Sequence, residues 1–291
     1  MTSKVFQSGV VIDSSWLNDV NTAVYATLPA LATTVAGKAA AGANGDITSL
    51  ASVTSYNGGA SSGLHNKVIN GGFWLNQRAV SGSVVLTAGA YGHDRFKAGA
   101  GGCSYTFATV LNVTTLTISA GTLQQVIEGA NLQSGAHKLS WVGTAQGRVD
   151  AGAYGASGVT GTAVGGTNQT VEFGVGTLTK VQYEFGSVVT PFEPRTYDVE
   201  FAMCQRYYQK SITQSLCAGN NATSAIIYSE IPLAVQMRAT PTVVFSGYSN
   251  SNALGAVVNT AGVDRIKAQT TIVAGPAQGY SLFNWTADAE L

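Results

Sequence analysis

Thr170-Val171-Glu172-Phe173, Gly174-Val175-Gly176 and Thr177-Leu178-Thr179-Lys180-Val181-Gln182-Tyr183-Glu184-Phe185 form one continuous stretch of the chain. Leu178, Val181, Tyr183 and Phe185 make its second half a near-continuous strand. Thr170 to Phe173 reads as its mate, with Gly174 and Gly176 at the turn. Upstream, alternation recurs in Cys103 to Val110, in Val113-x-x-Leu116-x-Ile118 and in Leu139-Ser140-Trp141-Val142. Val68 to Leu75, Val84 to Leu86 and Tyr91 to Phe96 extend the series with glycine punctuation between them. About seven or eight short strands without helical interruption predict a mainly β fold, and among such folds a jelly-roll β-sandwich over residues 66–195.

Pro191-Phe192-Glu193-Pro194-Arg195 ends that series, because two prolines three apart exclude regular structure. Beyond it, Val199, Ala202, Met203 and Tyr207 fall at helical spacing in a short amphipathic stretch. Ala225 to Tyr228, Thr242 to Phe245, Leu254 to Val258, Thr270 to Val273 and Tyr280 to Trp285 then read as strands of a small antiparallel β module over residues 196–291. No period of 20 to 50 residues repeats, which argues against a solenoid or propeller. Toward the other end, residues 1–29 carry a helix signal. Ser14 or Ser15 can cap it, Trp16, Leu17, Val20, Val24 and Leu28 recur at spacings of three and four, and Pro29 stops it. So short a helix is marginal alone and must dock on something. Residues 30–65 are dominated by Ala, Gly, Ser, Thr and Asn and read as a linker or stalk.

Composition narrows the function. Fifteen Lys and Arg balance fifteen Asp and Glu, and charged residues make up 10% of the chain, against about 25% in an average soluble domain. Nucleic-acid binding needs clustered cations that are not here. No apolar run approaches the length of a membrane span, and the N-terminus lacks the basic and apolar regions of a secretory signal, so a protein folded in a cytosol is expected. Cys103, Cys204 and Cys217 are widely spaced and odd in number, which predicts buried free thiols rather than disulfides or zinc.

No cofactor or metal is expected. His65, His93 and His137 form no ligand motif, and no phosphate-binding glycine loop stands between a strand and a helix. His93-Asp94-Arg95 reads as a charged pair orienting a strand end. Gly59-Ala60-Ser61-Ser62-Gly63 matches the nucleophile-elbow pattern formally. Its flanks are low in complexity and cannot form the strand and helix that strain such a serine. Glu128, Asp150, Glu172, Glu184, Glu193, Asp198 and Glu200 could supply a glycosidase pair only if two stood at the separation that mechanism demands. Aromatic residues with polar edges, among them Trp74, Tyr91, Trp141, Tyr154, Tyr207, Tyr208, Tyr228, Tyr248, Tyr280 and Trp285, suit either a β-sandwich core or stacking on sugar rings.

Several stretches resemble bacteriophage tail-fibre and related virion-attachment proteins. Phe6 to Tyr25, with Trp16-Leu17-Asn18-Asp19-Val20, is similar to the N-terminal segment by which such fibres join the virion, and Gly42 to Leu50 resembles a phrase that follows it. Val68-Ile69-Asn70-Gly71-Gly72-Phe73-Trp74 to Arg78, Asp94-Arg95-Phe96, Gln124 to Leu132 and Glu184 to Arg195 resemble a carbohydrate-binding-like jelly roll of those fibres. Ala202-Met203-Cys204-Gln205-Arg206-Tyr207-Tyr208, Pro232 to Thr242 and Trp285 to Leu291 resemble a C-terminal module of phage structural proteins. The resemblance implies a non-enzymatic virion protein assembled in the host bacterial cytoplasm. Trp16, Leu17, Val20 and Val24 would anchor it to another virion protein or to its own copies, in a homotrimer, and its β modules would attach to host surface polysaccharide. The glycan-contacting residues are not identifiable from the sequence. The alternative is a capsid, collar or tail decoration protein with a purely structural role.

Overall fold

The computed structural model describes residues 65–275 and 277–291, together with Ser15, which is helical and exposed. Trp16, Leu17, Val20 and Val24, the helix expected around them and the 30–65 linker up to Leu64 lie outside the described residues. Among the described residues the fold is mainly β, and every strand pairing is antiparallel.

The first eight strands are β1 (Val84–Leu86), β2 (Lys97–Val110), β3 (Val113–Ile127), β4 (Gly135–Val142), β5 (Gly147–Val149), β6 (Val159–Ala163), β7 (Gln169–Phe173) and β8 (Gly176–Phe185). Their sheet runs in the order β1-β2-β3-β8-β4-β6, while β7 pairs with both β3 and β5. The long β3 explains this branching. Its first half pairs with β8, at Leu116 to Ile118, and its second half with β7, at Leu123 to Ile127. Buried positions are even-numbered in the first half (Leu116, Ile118) and odd-numbered in the second (Leu123, Gln125, Ile127). Since side chains alternate with period two, that change of parity requires an irregularity between the halves. The register against β2 shifts there, where Gly121 lies opposite Cys103 and both Gly121 and Gly102 take positive φ, 69° and 79°. A Cβ on Gly121 would stand 2.0 Å from the Gly102 carbonyl oxygen, so no other residue fits.

The bend lets the two parts of the sheet enclose one core that includes Phe73, Phe96, Tyr105, Leu116, Leu123, Leu139, Trp141, Phe173, Leu178, Val181 and Tyr183. The paired strands expected at Thr170–Phe173 and Thr177–Phe185 are β7 and β8, but they do not pair with each other; each lies against a different half of β3. Val68–Leu75 and Tyr91–Phe96, expected as strands, are turns apart from a single bridge at Tyr91. Their apolar residues are buried all the same, because backbone groups in these segments are satisfied by buried side chains. Asn70 Nδ2 donates to the carbonyls of Leu75 (2.8 Å) and Asp94 (3.1 Å), and its Oδ1 accepts from Leu75 N.

Residues 191–196 are without regular structure, as two prolines dictate. They lead into α1 (Tyr197–Gln205), with Asp198 and Glu200 in its first turn. The remaining strands are β9 (Tyr208–Lys210), β10 (Ser215–Asn221), β11 (Ile226–Pro232), β12 (Thr242–Ser251), β13 (Val257–Ala261), β14 (Arg265–Thr271) and β15 (Ala277–Asp288). They make a sheet β10-β15-β12, with β9 also on β15, and a sheet β11-β14-β13. Between them lie Cys217, Ile227, Ile266, Phe283 and Trp285. β10, like β5 and β6 in the first sheet, is a strand that the sequence pattern does not announce, its Gly219 and Asn220-Asn221 masking the alternation. All three cysteines are buried free thiols, as expected.

A third cluster, Ile69, Leu75, Cys204 and Tyr207, joins the two sheet systems, and buried charges surround it. Arg95, 1% exposed, donates to Glu290 and to the Val126 carbonyl and lies 3.5 Å from the centre of the Tyr207 ring. Arg78 reaches Asp288 (3.2 Å), Glu290 (3.3 Å) and Asp94 (3.6 Å), with its guanidinium over the Tyr208 ring. On the other side Arg195 donates to Glu200 (3.0 Å) and to the carbonyls of Val68 (2.9 Å) and Asn66, while Glu200 accepts from Asn70 N. His93-Asp94-Arg95, expected at a strand end, is a buried turn of this lattice.

His93 is 1% exposed, with Nδ1 3.0 Å from the Tyr105 hydroxyl, and burial lowers its pKa to about 4. The unfolded chain therefore takes up a proton near pH 6.5 that the folded chain refuses until about pH 4, so stability is lost as the pH is lowered through that window and is fully present above it. Full loss of this contribution amounts to roughly 3 kcal/mol. Denaturant titrations should show the stability gap between wild type and His93→Gln shrinking from pH 7 to pH 4.5. Parallel curves would mean that the buried imidazole is not held neutral.

Candidate ligand cleft

A cleft of about 520 Å³ opens where α1, the 75–77 turn and the chain from Gln209 to Ser215 come together. Three forces shape it. α1 is pinned at its start by the Arg195–Glu200 pair, which aims Tyr197 and Phe201 into the cleft; their rings stack with centroids 5.8 Å apart and planes 15° apart. The 75–77 turn is held by Asp94, whose carboxylate accepts from Gln77 N (2.6 Å) and Gln77 Nε2 (3.0 Å). Burial raises the Asp94 pKa, while these bonds and Arg78 oppose the shift. The inner wall is Trp285, 8% exposed, whose Nε1 donates to Ser215 Oγ (3.1 Å) and whose N donates to Ser211 Oγ (3.0 Å).

The amides in the wall are oriented by backbone bonds. Gln209 Nε2 donates to the Val235 carbonyl (2.6 Å) and its Oε1 accepts from Ala234 N (2.9 Å); Asn76 is bonded in the same two-sided way to Val80. Gln205, Lys210 and Thr213 add polar groups at the lining, and Ile212, 98% exposed, stands at its edge. Lys210 is the one charged side chain among the described lining residues, and no Asp or Glu is among them. The surface is thus aromatic, amide and hydroxyl in character and nearly neutral. It offers flat faces and hydrogen bonds but no carboxylate pair for acid–base hydrolysis.

Of the carboxylates singled out in the sequence, Asp198 is exposed in the first turn of α1 and is not among the lining residues, and the others are engaged elsewhere. Glu128 lies 3.2 Å from Arg206 and 3.8 Å from Arg238, and Glu172 accepts two bonds from Arg148 (2.8 and 2.6 Å). Asp150 accepts from Gln169 and Thr170, Glu184 from Gln182 and Thr190, and Glu200 from Arg195. Glu184 and Glu193 flank His65, at 3.8 and 3.2 Å. The Gly59–Gly63 motif next to His65 lies outside the described residues. Of the aromatic candidates, Trp141 and Tyr207 are core residues, Tyr154, Tyr228 and Tyr248 are more than a third exposed, and Trp285 lines the cleft. Tyr197 and Phe201 were missed. Neither stands out in the sequence, since the short helix gives no clear periodicity, and Phe201 packs partly against the Cys204 cluster while Tyr197 stays exposed.

Among known proteins, no family model, no curated protein and no solved structure matches this chain.

The exposed wall and the buried wall should respond differently to truncation. Tyr197→Ala, at 59% exposure, should leave the thermal midpoint nearly unchanged, within about 0.5 kcal/mol of stability. Trp285→Ala should cost about 3 to 5 kcal/mol. A large loss from Tyr197→Ala would mean that its ring is part of the fold rather than of an open surface.

Proposed function

We propose that the chain is a non-enzymatic, phage tail-fibre-like virion structural protein that presents its β modules to host-surface glycans. On this reading residues 66–195 are a jelly roll, residues 1–29 anchor the chain to the virion, and copies associate as a homotrimer. The observation that carries the reading is the chemistry of the cleft. Stacked aromatic rings beside oriented amides and hydroxyls suit the C–H faces and hydroxyl edges of sugars, and the near absence of charge suits a neutral saccharide. The resemblance of Val68 to Arg78 and of Ala202 to Tyr208 to fibre modules points the same way. Each site would be weak. Several on one particle gain orders of magnitude through effective concentration.

Purified full-length protein should bind host cells and extracted surface glycans saturably, be competed by a glycan, and release no reducing ends. Tyr197→Ala and Phe201→Ala should each weaken that binding at least tenfold while the protein stays folded. Absence of binding by the folded wild type would replace this reading with that of a decoration protein that packs only on other virion subunits.

A further inference from the structure

The thirty residues 98–127, which make up nearly all of β2 and β3, contain no Asp, Glu, Lys, Arg or His. Their hairpin ends in a two-residue turn at Leu111 and Asn112, with φ of 49° and 61°, the conformation of a type I′ reversal. Leu111 is 93% and Val110 68% exposed. On its outer side β2 is paired with β1 only at Cys103–Tyr105. Among the described residues no strand pairs with Thr106–Val110 on the side away from β3.

The register fixes which backbone groups this edge presents. In a two-residue hairpin the pair that closes the turn, Val110 and Val113, exchanges both hydrogen bonds, and bonded and non-bonded pairs then alternate. Ala108 with Thr115 and Thr106 with Thr117 are therefore bonded pairs. Phe107 and Thr109 belong to the intervening pairs and point their N–H and C=O groups away from β3, toward the open side. The close approach of Thr109 Oγ1 to Thr114 Oγ1, 2.9 Å, is the contact expected of a non-bonded pair. The Phe107 ring is wedged edge-on against His93, with centroids 4.5 Å apart, so the strand is held in place.

Exposed edges are ordinarily guarded by lysine, proline or a bulge, since unpaired groups in an extended strand recruit another strand. Thr106-Phe107-Ala108-Thr109-Val110 has none of these. It is also self-complementary. Placed antiparallel to a second copy about a two-fold axis at Ala108, Phe107 faces the partner copy's Thr109 and Thr109 its Phe107. Each of these two pairs exchanges both N–H···O bonds, and nothing charged is buried. We propose that this edge joins two copies of the chain by continuing the sheet from one into the other. The pairing is independent of glycan binding, and it doubles whatever assembly the rest of the chain forms.

The test uses full-length protein. At the axis the two Ala108 side chains face each other in a non-bonded pair, whose short spacing permits a disulfide. Ala108→Cys should therefore form a covalent dimer on mild oxidation. Thr106→Cys, which would face the partner copy's Val110, should not, and the three native thiols are buried. Thr109→Pro, which removes an outward N–H without touching the β3 ladder, and Ala108→Lys, which sets two cations together at the axis, should each halve the mass measured by light scattering. A wild-type monomer, equal cross-linking of Ala108→Cys and Thr106→Cys, or an unchanged mass in both blocking variants would overturn the proposal.

Discussion

Just past the end of the last strand, Glu290 is held in the interior by Arg95 and Arg78, with the half-exposed Asp288 beside it on Arg78, and much else follows from that contact. Arg95 belongs to the first sheet system and Glu290 to the second. Both side chains are almost completely out of water, where an ion left without its partner costs about 3 to 5 kcal/mol. The tyrosines Tyr207 and Tyr208 cover the guanidinium faces, and Tyr91 and Lys97 add bonds to the Leu291 carbonyl oxygen. Burial favours the protonated form of Glu290, and the two arginines oppose it. A chain with so few charges thus holds several of them at this seam, each paired with an opposite charge.

That lattice is what positions the cleft. Asp94 faces Arg78 on one side and fixes Gln77 on the other; Arg195 and Glu200 set the start of α1; Tyr207 and Tyr208 lead into the Gln209–Ser215 wall. The ligand surface lies at the seam between two sheet systems, where preformed clefts are common, and its rigidity comes from contacts behind it rather than within it. The uncharged β2–β3 hairpin is the complement of this arrangement, since it leaves an edge whose backbone alone is available for recognition.

Most strands were legible in the sequence because alternation of Val, Leu, Ile and aromatic residues survives wherever one face is buried. Val84–Leu86, Leu139–Val142 and Thr170–Phe173 are such cases. Val68–Leu75 misled for a specific reason: its apolar residues are buried, but Asn70 and Glu200 satisfy the backbone in place of a neighbouring strand. The cleft was not legible, because Tyr197, Phe201 and Gln77 are brought together by pairings such as Arg95–Glu290, separated by nearly two hundred residues. His93-Asp94-Arg95 reads in the sequence as a local pair orienting a strand end, and only a partner far along the chain, Glu290, shows that Arg95 belongs to a buried contact.

Buried charge between Arg95 and Glu290 makes the two sheet systems one cooperative unit. Native-state hydrogen exchange across a denaturant series tests it most directly, by comparing amides of β8 around Val181 with amides of β15 around Phe283. Both sets should exchange through one global opening, with a common free energy and a common denaturant dependence. Exchange of the Phe283 region at distinctly lower denaturant, while Val181 stays protected, would contradict it.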